Sequence, residues 1–390
     1  MSTNYDIIVI GAGISGASVA YFLKKKGVGK VLMVDRGATP ASSNTGKSCA
    51  IVRTFYTLPL MARLAKTAVD MFVALPDELG QTGGFHQTGF VQLVPSDWVE
   101  TTKEITNMQT SVGIETKFVD PAQYEQRFPW MNPDGIGAVV YEPQSGWADP
   151  VQTTEAYIEG FQAAGGDVRF RMPCRQLLRD GDRVTGVELE DGPVSAGAVI
   201  NASGPWAKYL AEFSGMELPM TSMREQNAVW EVRPDRPMPT TPFSSAIEAV
   251  YMREVAERRW LIGRGFPKKY YEVDPNNFKE SADNDYVIGS YDRMLTRVPP
   301  LQGATMVDSY AALYDVTPDW MPFVGPRAGI EGYYDFSGGG GHMFKTAPAI
   351  ARELADWVVD GEAADDFRQL SHDRVAADNL FHQSFGGNRV

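Results

Sequence analysis

The sequence predicts an α/β fold in which a dinucleotide-binding unit is interleaved with a second domain of different character. Three observations lead to this prediction. A short apolar strand near the start runs into a glycine-rich turn, and helix-like and strand-like segments alternate after it. The stretch 215–320 is instead rich in proline, methionine and aromatic residues. Because segments of these two compositions alternate along the chain, we expect each domain to be built from several separate segments rather than from one continuous stretch.

The first unit is built from residues 5–10, 14–26 and 31–35. Residues 5–10 are apolar and β-branched and predict a buried strand. Residues 14–26 predict a helix that ends at Gly27, and residues 31–35 predict a second strand. Together they form a β-α-β unit of about 30 residues, the smallest unit that binds a dinucleotide.

The turn inside this unit follows the pattern GxGxxG. Gly11 permits the tight turn, Gly13 lets a pyrophosphate approach the backbone, and Gly16 lets the helix pack closely on the strand. The next helix begins at Ile14 and Ser15, so its N–H groups face the phosphates. The acidic residue that ends the second strand is placed to accept a hydrogen bond from a ribose hydroxyl, which favours FAD or NAD over NADP. It is Asp35, followed by Arg36.

Later segments predict further helices and strands. A helix is predicted over 58–75, ending before Pro76, and another over about 151–164, capped by Asp149. Strands are predicted at 89–94, 168–171, 183–189 and 198–201, and short strands at 249–253 and 260–263. The glycine run 338–341 leads into a last helix that begins at about Thr346 and covers 347–359.

A hydroxyl-rich loop follows the second strand. Such a loop suits contact with the pyrophosphate and ribityl chain of an extended FAD, although by itself it also fits any solvated loop. Its polar residues are Ser42, Ser43, Asn44, Thr45, Lys47 and Ser48.

Composition limits the classes of protein that fit. Of the 390 residues, 43% are hydrophobic and 22% charged, as in ordinary globular proteins. The formal net charge of −13 argues against a nucleic-acid partner. Two cysteines exclude a disulfide framework and favour a reducing compartment, and no His or Cys spacing indicates a metal site. The apolar segments are too short to span a membrane, so we expect a soluble cytoplasmic protein.

At four blocks the sequence resembles the FAD-dependent amine and amino-acid oxidoreductases of the D-amino-acid oxidase and sarcosine oxidase type. The first block is residues 5–56, whose run NTGKSCAIVRTFY (44–56) looks most like the β subunit of heterotetrameric sarcosine oxidase. The others are GWADP (146–150), VINASGPW (199–206), and LYDVTPD (313–319) with FSGGGGHMFK (336–345). Together they cover about half of the chain.

The resemblance implies a Rossmann-like FAD-binding domain interleaved with an α+β substrate domain built on an antiparallel sheet. The FAD-binding domain would comprise 1–84, 145–212 and 320–390, and the substrate domain 85–144 and 213–319. The resemblance also implies that residues 338–345 lie along the flavin ring. The further cofactor-binding candidates that it gives are Cys174, Ala202, Gly204, Trp206, Gly339, Gly340, Gly341, His342, Met343, Phe344 and Lys345.

Two basic residues are the strongest catalytic candidates. In members with similar motifs, residues at the positions of Arg53 and Lys345 hold the substrate carboxylate over the flavin, a role that suits the guanidinium fork and the compact ammonium charge. The alternative for Arg53 is a surface salt bridge. Tyr251, Tyr314 and His342 are candidates for the rest of the pocket; the two tyrosines fit a sheet core equally well, and His342 fits a hinge of the glycine loop.

Several residues depart from relatives of this type. Residues 310–314 contain no cysteine that could hold the flavin covalently, and Ala148 replaces the histidine that carries a second flavin. We therefore expect one noncovalent FAD. The oxygen-assisting lysine of monomeric sarcosine oxidase aligns with Leu261, with Arg264 and Lys268 as the alternatives, which favours a dehydrogenase or a slow oxidase.

The expected function is oxidation of the C–N bond of an amino acid or an N-alkyl amino acid such as sarcosine or dimethylglycine. Electrons would pass to oxygen or to another acceptor, and the chain would form a homo-oligomer or join a hetero-complex. Three alternatives stay open at this point: a D-amino-acid dehydrogenase, a flavin-carrying electron-relay subunit, and an NAD-binding protein.

Overall fold

The computed structural model describes residues 4–120, 123–265, 268–382 and 384, without the side chain of Glu125. Its α-helices are α1 (Ile14–Lys25), α2 (Pro59–Leu79), α3 (Val99–Ser111), α4 (Tyr124–Arg127), α5 (Pro150–Ala163), α6 (Ala207–Phe213), α7 (Asn284–Arg297), α8 (Met343–Asp360), α9 (Asp365–Arg368) and α10 (Asp373–Ala376).

The strands are divided between two large sheets and one short ribbon. They are β1 (Asn4–Ile10), β2 (Val31–Val34), β3 (Ile51–Val52), β4 (Phe90–Val94), β5 (Lys117–Val119), β6 (Ala138–Glu142), β7 (Gly146–Trp147), β8 (Asp167–Arg169), β9 (Cys174–Asp180), β10 (Arg183–Leu189), β11 (Gly192–Asn201), β12 (Thr221–Glu231), β13 (Phe243–Ser245), β14 (Val250–Ala256), β15 (Arg259–Arg264), β16 (Thr305–Val316), β17 (Phe323–Arg327) and β18 (Ile330–Ser337).

The first sheet has a parallel centre. Strands β8, β2, β1, β11 and β18 lie side by side in that order, and β17 and the hairpin β9–β10 extend the sheet with antiparallel pairs. Helices α1, α2, α5 and α8 contribute to the apolar core on one face, and α6 to the core on the other. Because both faces are covered, the central strands are apolar throughout, which is why β1 and β2 are recognisable in the sequence.

Local signals set most helix limits, with one clear exception. Asp149 caps α5 as predicted, because its Oδ1 atom accepts hydrogen bonds from the N–H groups of Val151 and Gln152, both at 2.9 Å. The prediction that the second helix ends before Pro76 is wrong. Helix α2 continues to Leu79 and ends at Gly80, whose φ of +70° and N–H bond to the Pro76 carbonyl form a left-handed cap.

The second sheet is mostly antiparallel, in the order β16, β12, β15, β14, β13, β4, β6 and β5, and β13 and β4 form its parallel pair. One face packs on α7 and forms a separate apolar core. Strands β12 and β16 have 11 and 12 residues, longer than the short strands predicted for 215–320. Their length comes from pairing with each other over most of their extent, a long-range interaction that local composition does not reveal.

The two sheets alternate along the chain, as the predicted fold class requires. Strands of the first sheet come from residues 4–34, 167–201 and 323–337, and strands of the second from 90–142 and 221–316. The ribbon β3–β7 pairs Ile51 with Trp147 and Val52 with Gly146. A small apolar cluster that includes Ile51, Phe55 and Phe90 joins the segment after β3 to the second sheet. This segment carries Arg53.

Candidate functional site

A cavity of about 740 Å³ lies between the first turn of α1, the ends of β2 and β11, and the facing surface of the second sheet. Its volume is in the range of cofactor and ligand sites. Many predicted cofactor-binding residues line it: Gly11, Gly13, Ile14, Ser15, Asp35, Arg36, Ser42, Ser43, Asn44, Thr45, Lys47, Ser48, Cys174, Ala202, Gly204, Trp206, Gly341, Met343 and Phe344.

At one end of this larger cavity, acidic and basic side chains are fixed in place. Asp35 accepts hydrogen bonds from the N–H groups of Ala12 at 2.7 Å and Gly37 at 2.6 Å, so its carboxylate ties the end of β2 to the glycine turn. The Arg36 guanidinium stacks on the Trp206 ring at 3.7 Å from the ring centre. The geometry presents a carboxylate and a flat cationic surface to the ribose and adenine end of a dinucleotide.

The middle of the larger cavity presents unused donors. Gly13 provides no side-chain cap for α1, the first turn of α1 has no acidic residue, and the Ile14 N–H donates only a long bond of 3.3 Å to Oγ1 of Thr45. Because Gly13, Ile14 and Ser15 line the cavity, the positive end of the helix faces it. The buried Nδ2 atom of Asn44 has no hydrogen-bond partner in the described part of the chain, although its Oδ1 accepts from the Leu313 N–H at 2.8 Å. A buried amide donor without a partner is costly, and an anionic or carbonyl oxygen of a bound cofactor satisfies it. These residues fit FAD.

Residues 272–280, here called the strap, cross the mouth of the larger cavity from the second sheet. Trp206 donates its indole N–H to Oδ1 of Asn276 at 2.9 Å, and Lys47 pairs with Glu280 at 2.7 Å. The strap therefore joins the dinucleotide side of the cavity to the second sheet. Its lining residues are Pro275, Asn276, Phe278 and Glu280.

A smaller cavity of about 140 Å³ adjoins the larger one. The residues common to both are Cys49, Tyr251, Tyr314 and Gly341, which marks where the two meet. A cavity of about 150 Å³ accommodates a molecule the size of benzene, so the smaller cavity suits a compound of about six heavy atoms. Arg53, His342 and Lys345 line it.

The two predicted carboxylate-binding residues come together in the smaller cavity. The Arg53 guanidinium and the Lys345 ammonium lie 4.8 Å and 5.8 Å from the centre of the Tyr56 ring. Lys345 is only 8% exposed, and in the described part of the chain neither cation forms an ion pair. Burial lowers the pKa of Lys345 to about 7, and the charge of Arg53 acts in the same direction. A buried and a half-buried cation without a counterion form a site for an anion.

The second sheet supplies the floor of both cavities. Asn227, Gly263 and Tyr251 lie opposite one another on three adjacent strands and so share one face. The Tyr251 hydroxyl donates to Oδ1 of Asn227 at 2.9 Å, passing over Gly263, where a Cβ atom would lie 2.2 Å from the tyrosine ring. Glycine at 263 therefore lets the tyrosine reach across the middle strand.

The glycine run forms a tight turn before α8. Asp315 accepts a hydrogen bond from the Gly338 N–H at 2.8 Å, and Gly341, at φ +85°, packs so closely that a Cβ atom would lie 2.5 Å from the Tyr314 ring. The prediction that the helix begins at about Thr346 is wrong, because α8 begins at Met343. Lys345 is thus in the first turn, where the positive helix end further disfavours its charge and strengthens the case for an anion.

Not every predicted residue lines a cavity. In the described part of the chain, Gly16, Gly339 and Gly340 line neither cavity. Leu261, which pairs with Val229 and Arg253, also lines neither. The Gly16 site packs against Gly11, as the motif requires. Among the alternatives for the oxygen-assisting position, Arg264 lines the smaller cavity, and the Lys268 ammonium pairs with Glu225 at 2.5 Å.

Sequence reasoning missed several lining residues. Cys49, Glu225 and Asn227 line the larger cavity, and Gln92 and Ser244 line the smaller one. The polar positions 225 and 227 alternate on β12 and could have been recognised as one face of a strand. Gln92 and Ser244 become neighbours only through the pairing of β4 with β13.

A family model matches most of the chain. The model of the DAO family, described as FAD dependent oxidoreductase, matches residues 6–357. The chain belongs to this family. The expected resemblance, the FAD cofactor and the assignment as an enzyme are thereby confirmed, and the NAD alternative is excluded.

Individual relatives agree with this result. The chain is 25% identical to dimethylglycine dehydrogenase from Rattus norvegicus over 389 residues, covering 95% of this chain but 44% of that protein. It is 25% identical over 398 residues to FAD-dependent oxidoreductase domain-containing protein 1 from Bos taurus, covering 91% and 81%. The crystal structure of L-proline dehydrogenase from P. horikoshii superposes with a TM-score of 0.90 at 22% identity, covering 98% of this chain and 100% of that one. The chain thus spans less than half the length of the rat relative.

The described residues contain neither a membrane-spanning helix nor a metal-binding cluster. No helix there has both the length and the apolar character needed to cross a membrane. No group of three or more histidine, cysteine, aspartate or glutamate side chains there could hold a metal ion.

Proposed function

We propose that the chain uses FAD to oxidise the C–N bond of a small amino acid or N-alkyl amino acid, with sarcosine-like and dimethylglycine-like compounds ahead of primary amino acids. The observation that carries the proposal is the pair of the half-buried Arg53 and the buried Lys345, without ion-pair partners in the described part of the chain, beside the cofactor cavity. The name of the rat relative supports an N-methyl amino acid.

FAD, when bound, accepts a hydride equivalent from a C–H bond next to nitrogen, and the resulting imine hydrolyses in water. The residues of this chain bind and orient the substrate. Arg53 and Lys345, which both lie over the Tyr56 ring, hold its carboxylate. The small volume of the cavity limits the group on nitrogen or on the α-carbon to a few heavy atoms.

The protein is also proposed to hold FAD without a covalent bond and to transfer electrons to an acceptor better than to oxygen. Support for the first part is the absence of cysteine from 310–319. Support for the second is Leu261 at the oxygen-assisting position, together with the ion pair that neutralises Lys268. A cytoplasmic location and an oligomeric or hetero-complex assembly belong to the same proposal; two free cysteines support the location.

The deciding experiment is an anaerobic titration of the holoenzyme, followed by its visible flavin spectrum. Sarcosine, dimethylglycine, L-proline and a panel of D-amino acids are added in turn, and at least one N-methyl amino acid should bleach the flavin. Bleaching by D-amino acids alone would favour a D-amino-acid dehydrogenase. A yellow protein that none of them bleaches would contradict the proposal and favour an electron-relay subunit. Slow recovery of colour in air would support the dehydrogenase assignment, and acid precipitation should release the flavin.

A further inference from the structure

The peptide directly after Arg53 is held on both sides by buried side chains. The Thr54 N–H donates to Oε2 of Glu142 at 2.8 Å, and the Gln109 side-chain amide donates to the Thr54 carbonyl at 2.7 Å. Glu142 ends β6, and Gln109 lies on α3. Two distant segments therefore fix the backbone on which Arg53 stands.

The contacts around Glu142 are shielded from water. Glu142 is 1% exposed, and Thr54 and Gln109 are buried with it. The Ser145 hydroxyl donates to the Glu142 carboxylate at 2.8 Å, and Gln109 donates to its other oxygen at 3.4 Å. A carboxyl group in such a place is retained only where its hydrogen bonds and a nearby charge offset the loss of water.

The nearby charge is that of Arg53. Burial raises the pKa of Glu142, whereas the donors of Thr54 and Ser145 and the positive charge of Arg53 act in the opposite direction. Burial has the larger effect, so the pKa of Glu142 lies above its usual value, while every donor that reaches the two oxygens favours the ionised form. Glu142 forms no ion pair in the described part of the chain, and its interaction with the charge of Arg53 acts without direct contact.

We propose that Glu142 is a positioning residue of the carboxylate site, which fixes the Arg53 backbone through Thr54 and offsets part of the positive charge of Arg53. This inference rests on the proposed function. This role explains why a carboxylate is buried close to Arg53. Its charge weakens the binding of the anionic substrate, so the substrate is held in a defined place but the product is still released.

The test measures how acetate, a carboxylate without an amine, perturbs the flavin spectrum of the holoenzyme at neutral pH. E142Q keeps an oxygen acceptor for Thr54 and removes the charge, so acetate should bind about three- to tenfold more tightly than to the wild type. E142A also removes the acceptor, so acetate should bind at least about tenfold more weakly than to E142Q. The two comparisons separate charge from positioning.

Controls make the outcomes decisive. The control variant D335N removes the charge of another buried carboxylate. Asp335 is 1% exposed, pairs with Arg327 and lines neither cavity. D335N should therefore lower the thermal midpoint Tm and leave acetate binding unchanged. Equal affinities for E142Q and the wild type would overturn the role of the charge, and equal affinities for E142A and E142Q would overturn positioning. If acetate does not perturb the wild-type flavin at all, the carboxylate site itself is wrong and the proposed function fails with it.

Discussion

The Arg53 guanidinium and the Lys345 ammonium lie over the same buried ring, at 4.8 Å and 5.8 Å from the centre of Tyr56. Two like charges so placed repel each other, and an anion between them relieves the repulsion. The consequences of this arrangement can be measured with a simple carboxylate as well as with a substrate.

Removing the guanidinium should separate carboxylate recognition from amine oxidation. We expect R53A to raise the KM for an amino-acid substrate about 10- to 100-fold, because charge-assisted hydrogen bonds to the carboxylate are lost. The corresponding amine without a carboxylate should react equally well with both enzymes. R63A is the matched control, since the half-buried Arg63 pairs with Glu353 and Asp366 and lines neither cavity. Equal losses on acid and amine would reject the carboxylate role.

Anion binding should depend on pH through Lys345. Its pKa of about 7 means that the free protein carries this proton below neutral pH and loses it above. A carboxylate binds the protonated lysine better, so the affinity for acetate should be highest in mild acid and fall as the pH rises through 7. In K345M the affinity should be lower and should vary much less over this range. An unchanged pH profile in K345M would assign the titration to another group.

Gly341 should not tolerate a side chain. A Cβ atom there would lie 2.5 Å from the Tyr314 ring, and its φ of +85° is unfavourable for alanine. We expect G341A to lose at least about 2 kcal/mol of unfolding free energy and much of its FAD. The control is G361A, at φ +76° with open space around the position, which should cost about 1 kcal/mol and keep its FAD. FAD content and Tm measure both effects.

The strap should slow the escape of FAD. Removing the hydrogen bond between Trp206 and Asn276 costs about 1 kcal/mol, so W206F and N276A should each release FAD about fivefold faster. The rates follow from the rise of flavin fluorescence after dilution. Because each variant breaks the same hydrogen bond, the double variant should release FAD little faster than either single variant. Additive effects would show that the two side chains act separately.

The sequence predicts the elements whose signals are local. The first β-α-β unit and the Asp149 cap depend on neighbouring residues, and the structure confirms both. The sequence does not predict that α8 begins at Met343 or that α2 continues through Pro76. Glycine and proline suggest a helix limit at both places, but packing of the helix overrides that local preference. Tertiary contacts decide such helix limits.

The candidate site likewise contains residues that the sequence predicts and contacts that only the tertiary structure reveals. Arg53 and Lys345 were predicted from family-like motifs, and the structure places them in one cavity. Their relation to Glu142 could not be predicted, because Thr54 and Glu142 are far apart in sequence and meet only after β6 and β3 are in place. The reach of Tyr251 over Gly263 likewise depends on strand register, which sequence alone does not provide.

The alternation of the two sheets has a consequence for the order of folding. Val199 of β11 pairs with Tyr333 of β18, and the part of the chain between them supplies most of the second sheet. During synthesis the carboxyl end of β11, residues 199–201, therefore stays unpaired on the side away from β1 until the last part of the chain emerges. Gly341, Met343 and Phe344, which complete the cofactor cavity, arrive later still. No fragment that ends before Gly341 contains the whole cofactor cavity, so we expect such fragments not to retain FAD.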